Sequence, residues 1–185
     1  MLLAYAAITF EPVNAATTSQ PPQVFVRDAN VQADTGDNPH DAGLRTPTDN
    51  DPDSAPLSNA HGTSIKTLLG IWRTAVGTLT FDPAPQGVNV RAVFHLLIPN
   101  GRYSLFVRQL AVRTGAVYTP LDVVGAENSF TADPQGNGQL AITTPLQLGP
   151  GVQIVLVFHS DGVDHQSSLG NPGVNAHAQL ITRVP

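Results

Sequence analysis

The chain has 185 residues, a formal net charge of −5 at pH 7, 12% charged residues and no cysteine. A length of this order holds one domain with a sizeable core, or one domain behind an extended leader. The absence of cysteine excludes disulfides, zinc fingers, iron–sulfur ligation and thiol nucleophiles.

Residues 1–16, MLLAYAAITFEPVNAA, run apolar from Leu2 to Ile8 and place small residues at Val13 and Ala15. That spacing matches the end of a signal peptide cleaved after Ala15, although a basic start is missing and Glu11 and Pro12 interrupt the run. Residues 1–16 are therefore expected to be a truncated signal peptide, and the protein to be secreted, periplasmic or held at a cell surface. The stretch is too short to span a bilayer, so no membrane insertion is expected.

Residues 17–62 are rich in Pro, Asp, Asn, Thr and Ser. Between Gln23 and Gly62, seven aspartates stand against Arg27 and Arg45, so this segment alone carries −5. With few apolar side chains to bury, it cannot offset its own ordering entropy and is expected to be a disordered, extended acidic leader. Inside it, residues 23–27 (QVFVR) have the composition of an edge strand. They make the N-terminal segment the expected route to a protein partner or to self-assembly. Residues 48–54 alternate aspartates as calcium loops do, but Ser54 stands where an EF-hand needs glycine and Ala60 where it needs glutamate; a solvated linker is expected.

Residues 63–185 are expected to form the folded domain. Lys66 and six arginines face five aspartates and Glu127, a near-neutral balance of +1. Such a surface has no electrostatic footprint for a phosphate backbone, so a nucleic-acid partner is not expected. Residues 65–72 (IKTLLGIW) admit a helical turn, but Gly70 and the β-branched neighbours favour a strand entry with Trp72 as a core plug. Short apolar runs then recur between turn residues, giving candidate strands at 70–74, 77–81, 88–96, 103–112, 117–124, 129–132, 139–143, 152–159 and 174–182. In the run 88–96, Val88, Val90, Ala92, Phe94 and Leu96 share one face, as a half-exposed strand requires. The run 152–159 is apolar on both faces and is expected to be central. The pattern predicts an all-β, antiparallel Greek-key β-sandwich of the immunoglobulin-like kind.

The densest polar cluster follows the central strand. His159, Asp161, Asp164 and His165 place two imidazoles and two carboxylates in a glycine-flanked loop, and these are the candidate ligands of one divalent ion, Cu or Zn. Turn chemistry at Ser160-Asp161-Gly162, with the histidines hydrogen-bonded at strand ends, accounts for the same residues without a metal, and no diagnostic ligand spacing occurs. If 152–159 and 174–182 form a hairpin, His177 falls opposite Leu156, about 10 Å along the strand from His159 and on the other face. A structural role is expected for His177. No Gly-x-Ser-x-Gly, His-Glu-x-x-His or phosphate-cradling glycine loop occurs.

Several of these segments resemble the copper–zinc superoxide dismutase-like sandwich, including its chordin-type relatives. The resemblance runs through Gly77–Phe81, Ile98-Pro99-Asn100-Gly101, Ala132-Asp133-Pro134-Gln135-Gly136, and Val155–His159 followed by Gly170-Asn171-Pro172-Gly173. It implies that fold, and it sets His159 on a copper-ligand position. Where the family carries His-x-His, this chain reads Tyr103-Ser104-Leu105-Phe106-Val107, and Asn175 replaces the expected arginine. Dismutation is therefore not expected. The runs Pro99-Asn100-Gly101-Arg102-Tyr103-Ser104-Leu105 and His159-Ser160-Asp161-Gly162 also resemble secreted bacterial β-sandwich proteins. The expected function is an exported, non-enzymatic module for binding, surface display or assembly. A divalent-metal-binding exported protein is the alternative, and a degenerate redox or hydrolytic enzyme the third.

Overall fold

The computed structural model describes residues 5–13, 23–34, 40–111 and 115–184. Among them, one four-stranded sheet has the order β1 (Tyr5–Thr9), β7 (Val76–Ala84), β8 (Gly87–His95), β12 (Gly138–Thr144). The facing sheet runs β10 (Gly115–Pro120), β9 (Arg102–Ala111), β13 (Gln153–His159), β14 (Ala176–Arg183), β2 (Glu11–Pro12), with β11 (Ser129–Thr131) also paired to β9. All pairings are antiparallel. The chain crosses between sheets from β8 to β9 and again from β12 to β13, so β8 neighbours β12 and β9 neighbours β13. Non-consecutive neighbours of this kind make a Greek key, and the expected all-β sandwich is the observed architecture.

Alternation drives the layering. Leu79, Phe81, Val90, Ala92, Phe94 and Ile142 point inward from the first sheet to meet Leu105, Val107, Ile154, Leu156 and Leu180 from the second. A run of rings crosses the core, with Phe94–Phe130, Phe130–Tyr103 and Tyr103–Phe158 centroids at 5.5, 5.6 and 5.4 Å. The buried Tyr103 hydroxyl accepts from Ile98 N–H at 3.0 Å and donates to Gln179 Oε1 at 2.9 Å. All seven residues of β13 are buried, as its two-faced hydrophobicity requires. Its outer side belongs to a second cluster of Phe106, Val155, Val157, Ala176, Ala178 and Ile181.

The largest departure from expectation lies before β7. Described residues of the 17–62 segment are packed rather than extended in solvent. β3 (Val26–Arg27) pairs with β4 (Leu44–Arg45), and β5 (Pro56–Ser58) with β6 (Ser64–Leu68). Phe25, Leu44 and Ala60 form their own small core, and Val24, Val26 and Leu57 join the main one. These six side chains at the right positions suffice, and the arginine–aspartate pairs offset the charge that would have favoured solvation. Arg45 grips Asp51 through two 2.7 Å bonds and reaches Asp28 at 3.0 Å. The boundary at 62/63 is therefore not a boundary in the packing. Residues 23–27 dock on their own chain, through paired Phe25–Ser58 backbone bonds of 2.9 and 2.8 Å.

Smaller differences have local causes. The expected strand at 70–74 is α1 (Leu69–Thr74), which buries Leu69 and Trp72 one turn apart. Gly70 meets Asp53 there so closely that a Cβ would lie 2.8 Å from its side chain. Leu96 leaves the inward face of its strand at φ 59° and stands 54% exposed. The expected run 117–124 stops as a strand at Pro120. Tyr5–Thr9, which overlaps the Leu2–Ile8 stretch read as part of a signal peptide, pairs with β7 as an edge strand. The proposed cleavage position at Ala15 lies outside the described residues.

Candidate functional site at the end of the central strand

β13 ends in His159, opposite Arg102 of β9 on one side and Ala176 of β14 on the other. Residues 160–175 then loop out and back. A second loop, residues 121–128, leaves β10 and returns as β11 beside Ser104, since Ser129 pairs with Ser104 and Thr131 with Arg102. The two loops meet, with Gly125 packed so tightly on Gln166–Ser167 that a Cβ would fall 2.2 Å from the Gln166 carbonyl carbon. Its φ of 78° adds a second reason for glycine.

His159, on the outer face, is only 1% exposed. Its Nε2 is hydrogen-bonded with Ser104 Oγ at 2.9 Å, and its Nδ1 is buried without a partner. Burial first, and then the neighbouring His165, push its pKa down to about 4, so the ring is neutral at pH 7. The His165 ring lies 5.2 Å from it, centroid to centroid. His165 Nε2–H donates to Asp161 Oδ2 at 2.9 Å, and Asn175 Nδ2–H donates to the same oxygen at 2.9 Å. Burial works to raise the Asp161 pKa, but bonds from Val163 N–H, His165 and Asn175 prevail and hold it below the usual carboxylate range.

Of the four expected ligands, then, His159, Asp161 and His165 are neighbours, and Asp164 is turned away. Arg102 Nη2–H and Ser129 Oγ–H donate to Asp164 Oδ2 at 2.6 and 2.5 Å, which fixes that carboxylate as a brace between β9, β11 and the loop. Among the described residues, no group of three or more His, Asp or Glu side chains is arranged to hold a metal ion. The donor set explains it: Asp161 Oδ2 is committed to two donors, and a cation would have to displace the His165 Nε2 proton.

His177 sits opposite Phe158, not Leu156, because the β13–β14 pairing begins at Ala176. It faces the inside, on the other side of the sheet from His159 as expected, but it is far closer along the strand than the 10 Å expected. Its Nδ1–H donates to the Gln23 carbonyl at 2.5 Å, which leaves Nε2 to accept from Ser160 Oγ–H at 2.9 Å. Burial lowers its pKa to about 4. Arg102, Ser104 and Ser129 belong to the cluster and were not read as site residues from the sequence, since only strand register brings them to His159; Asn175, noted there only as replacing an arginine, joins through Asp161.

The loop tips are apolar. Val124, Val163 and Val123 are 67%, 53% and 40% exposed, and Val123 has φ 73°, a conformation costly for a β-branched residue. Three backbone amides, Gly125, Ala126 and Glu127, each donate to Asp122 at 2.7 Å and stiffen the turn beneath them.

Fold and loop cluster together define an antiparallel Greek-key β-sandwich. Among solved structures, the Cu/Zn superoxide dismutase from Brucella abortus matches over 97% of this chain and 99% of its own, at 13% identity and a TM-score of 0.39. A likeness at that level carries nothing about activity. No protein-family profile matches the chain, and no curated protein matches it in sequence. No helix among the described residues is long and apolar enough to cross a membrane.

Proposed function

We propose that the protein is an exported, non-enzymatic β-sandwich module that binds a protein partner through residues 121–128 and 160–170. One observation carries the reading: two loops braced against each other present exposed valines, one of them at positive φ. Loops held on a rigid scaffold are where binding residues concentrate, and retained strain accompanies such sites. The polar side chains beneath, Asp122, Asp161, Asp164 and His165, are spent on holding the loops in shape, which favours presentation over catalysis. Export is supported by composition alone, a cysteine-free chain.

The test pairs the native protein with the V124D/V163D variant as bait against cell-envelope and secreted fractions of the source organism. Both valines are exposed, so the fold should survive. A partner kept by the native loops and lost by the variant supports the reading; an identical retained set overturns it.

A second reading, a divalent-metal protein, is favoured by the unpartnered Nδ1 of neutral His159 beside His165. Zn²⁺ or Cu²⁺ titration of the native chain and of H159A/H165A decides it. Equal uptake by both removes His159 and His165 as ligands.

A further inference from the structure

A second group of polar side chains, outside the two loops above, lines a cleft of about 440 Å³ where β8, β11 and β12 meet. Its wall includes Val93, His95, Thr131, Asp133, Asn137 and Gln139. A volume of this order is that of a small-molecule site. The turn between β11 and β12 that forms one side is tied down at both ends. Asp133 N–H donates to the Asn137 carbonyl at 2.8 Å, and Leu97 N–H donates to the Gly136 carbonyl at 2.9 Å. The Asp133 carboxylate in turn accepts from the Gln135 and Asn137 backbone amides at 2.9 and 2.7 Å.

The order of donors and acceptors along this wall follows from Asp133. An ionised carboxylate only accepts, so the Asn137 amide turns its Nδ2–H to Asp133 Oδ2, at 3.0 Å. That places Asn137 Oδ1 against His95 Nδ1, at 2.9 Å. The amide oxygen also only accepts, so Nδ1 carries the ring proton and the lone pair of the neutral imidazole is on Nε2. Nε2 is the far end of an exposed side chain in the cleft wall. Thr131 is set in the opposite sense. Its Oγ1 accepts from Arg102 Nη1–H at 3.3 Å, which directs its own hydroxyl proton elsewhere. Gln139, also exposed, brings an amide donor and an amide acceptor to the same wall.

We propose that this cleft binds a neutral sugar, with neighbouring hydroxyls held by His95 Nε2, Thr131 and Gln139 and the apolar face of the ring against Val93. A hydroxyl both donates and accepts, and this wall offers it a fixed acceptor, a hydroxyl donor and an amide that is both. Val93, 41% exposed, gives the C–H face of a sugar ring an apolar surface. Asp133 and Asn137 are positioning residues: they set the His95 tautomer before any ligand arrives, which lowers the cost of ordering on binding. The charge of Asp133 repels anionic ligands, and its oxygens, engaged by amide donors, leave a metal ion little beyond one imidazole. The site lies apart from the loop surface proposed above and does not depend on it.

The probes are the methyl glycosides of glucose, galactose and mannose, with cyclohexanol and the matching uronates as controls, read by NMR titration of the isotopically labelled full chain. At least one glycoside should give saturable shifts at His95, Thr131 and Gln139, cyclohexanol none, and the matching uronate should bind more weakly. His95→Ala and Thr131→Val, at exposed positions, should keep the fold and each weaken the glycoside roughly three- to tenfold. The V124D/V163D variant should bind it as the native chain does. Imidazole nitrogen shifts should report the Nδ1–H tautomer at His95, and Asn137→Ala should return the ring to the Nε2–H form that free imidazole side chains favour. The proposal is overturned by no saturable binding of any of these glycosides, by cyclohexanol or the uronate binding as tightly, or by unchanged binding in His95→Ala and Thr131→Val. An Nε2–H tautomer in the native chain, an Nδ1–H tautomer kept by Asn137→Ala, or binding lost in V124D/V163D would overturn it equally.

Discussion

His159 and His177 end up on opposite faces of one sheet yet share an electrostatic situation. Each is enclosed, and each is neutral because burial lowers its pKa from 6.5 to about 4. An unfolded chain would bind a proton at each between those values, so the unfolded state gains protons first as pH falls. The stabilising contribution is therefore complete above pH 6.5 and is lost progressively down to about pH 4. The full depression corresponds to roughly 3 kcal/mol per histidine. His177→Gln keeps a donor and an acceptor but does not titrate. Urea unfolding at pH 7 and pH 4.5 should show a smaller acid loss for this variant; an unchanged acid loss would mean that His177 is solvated. Val123 makes the opposite kind of case, since its φ of 73° is a local cost. Val123→Gly should raise stability by about 1 kcal/mol by removing that strain. If the strained turn serves recognition, the same change should weaken partner capture, and thermal melts alongside the bait experiment separate the two effects.

At the level of elements, the segment before β7 decides how large the cooperative unit is. It is tied to the sandwich by Gln23 on His177, by Asn59 Nδ2–H donating to the Val174 carbonyl at 2.9 Å, and by Trp72, whose carbonyl accepts from Gln179 Nε2–H at 3.2 Å. Phe25→Ala, at a fully buried position, should cost about 3–5 kcal/mol in a single unfolding transition. Two transitions, with the first alone sensitive to the change, would separate that segment from the domain. Sequence periodicity could not reveal this segment, because Phe25, Leu44, Leu57 and Ala60 are scattered among Asp, Pro and Asn and fall on no period. β13 and the 133–138 turn, by contrast, were legible, the first from an apolar run on both faces and the second from its turn residues. The site was half legible: His159, Asp161 and His165 are sequence neighbours that stay neighbours in space, while Asp164 is diverted by Arg102, a residue 62 positions away. His177 was misplaced because the hairpin register depends on where pairing resumes after a long loop, which no local pattern records.

On the scale of the whole molecule, the two sheets share one core only if the first sheet is complete. Its edge strand β1 covers the β7 edge, and Phe10, which follows it, is buried with its ring 5.2 Å from that of Phe94. β2 then extends the second sheet, with Pro12 opposite Leu180. Cutting after Ala15 would take β1, Phe10 and β2 together, leaving β7, which spans Val76–Ala84, with an uncovered row of backbone donors and acceptors. Such an edge invites pairing with another chain. A variant lacking residues 1–15 should therefore melt lower than the full chain and self-associate on size-exclusion chromatography with light scattering. N-terminal sequencing of protein recovered outside the cell completes the test: a mature chain beginning at Ala16 that is monomeric and as stable as the full chain would remove β1 and β2 from the working fold. A retained Tyr5–Thr9 segment with a destabilised truncation would mean that export does not proceed through cleavage at Ala15.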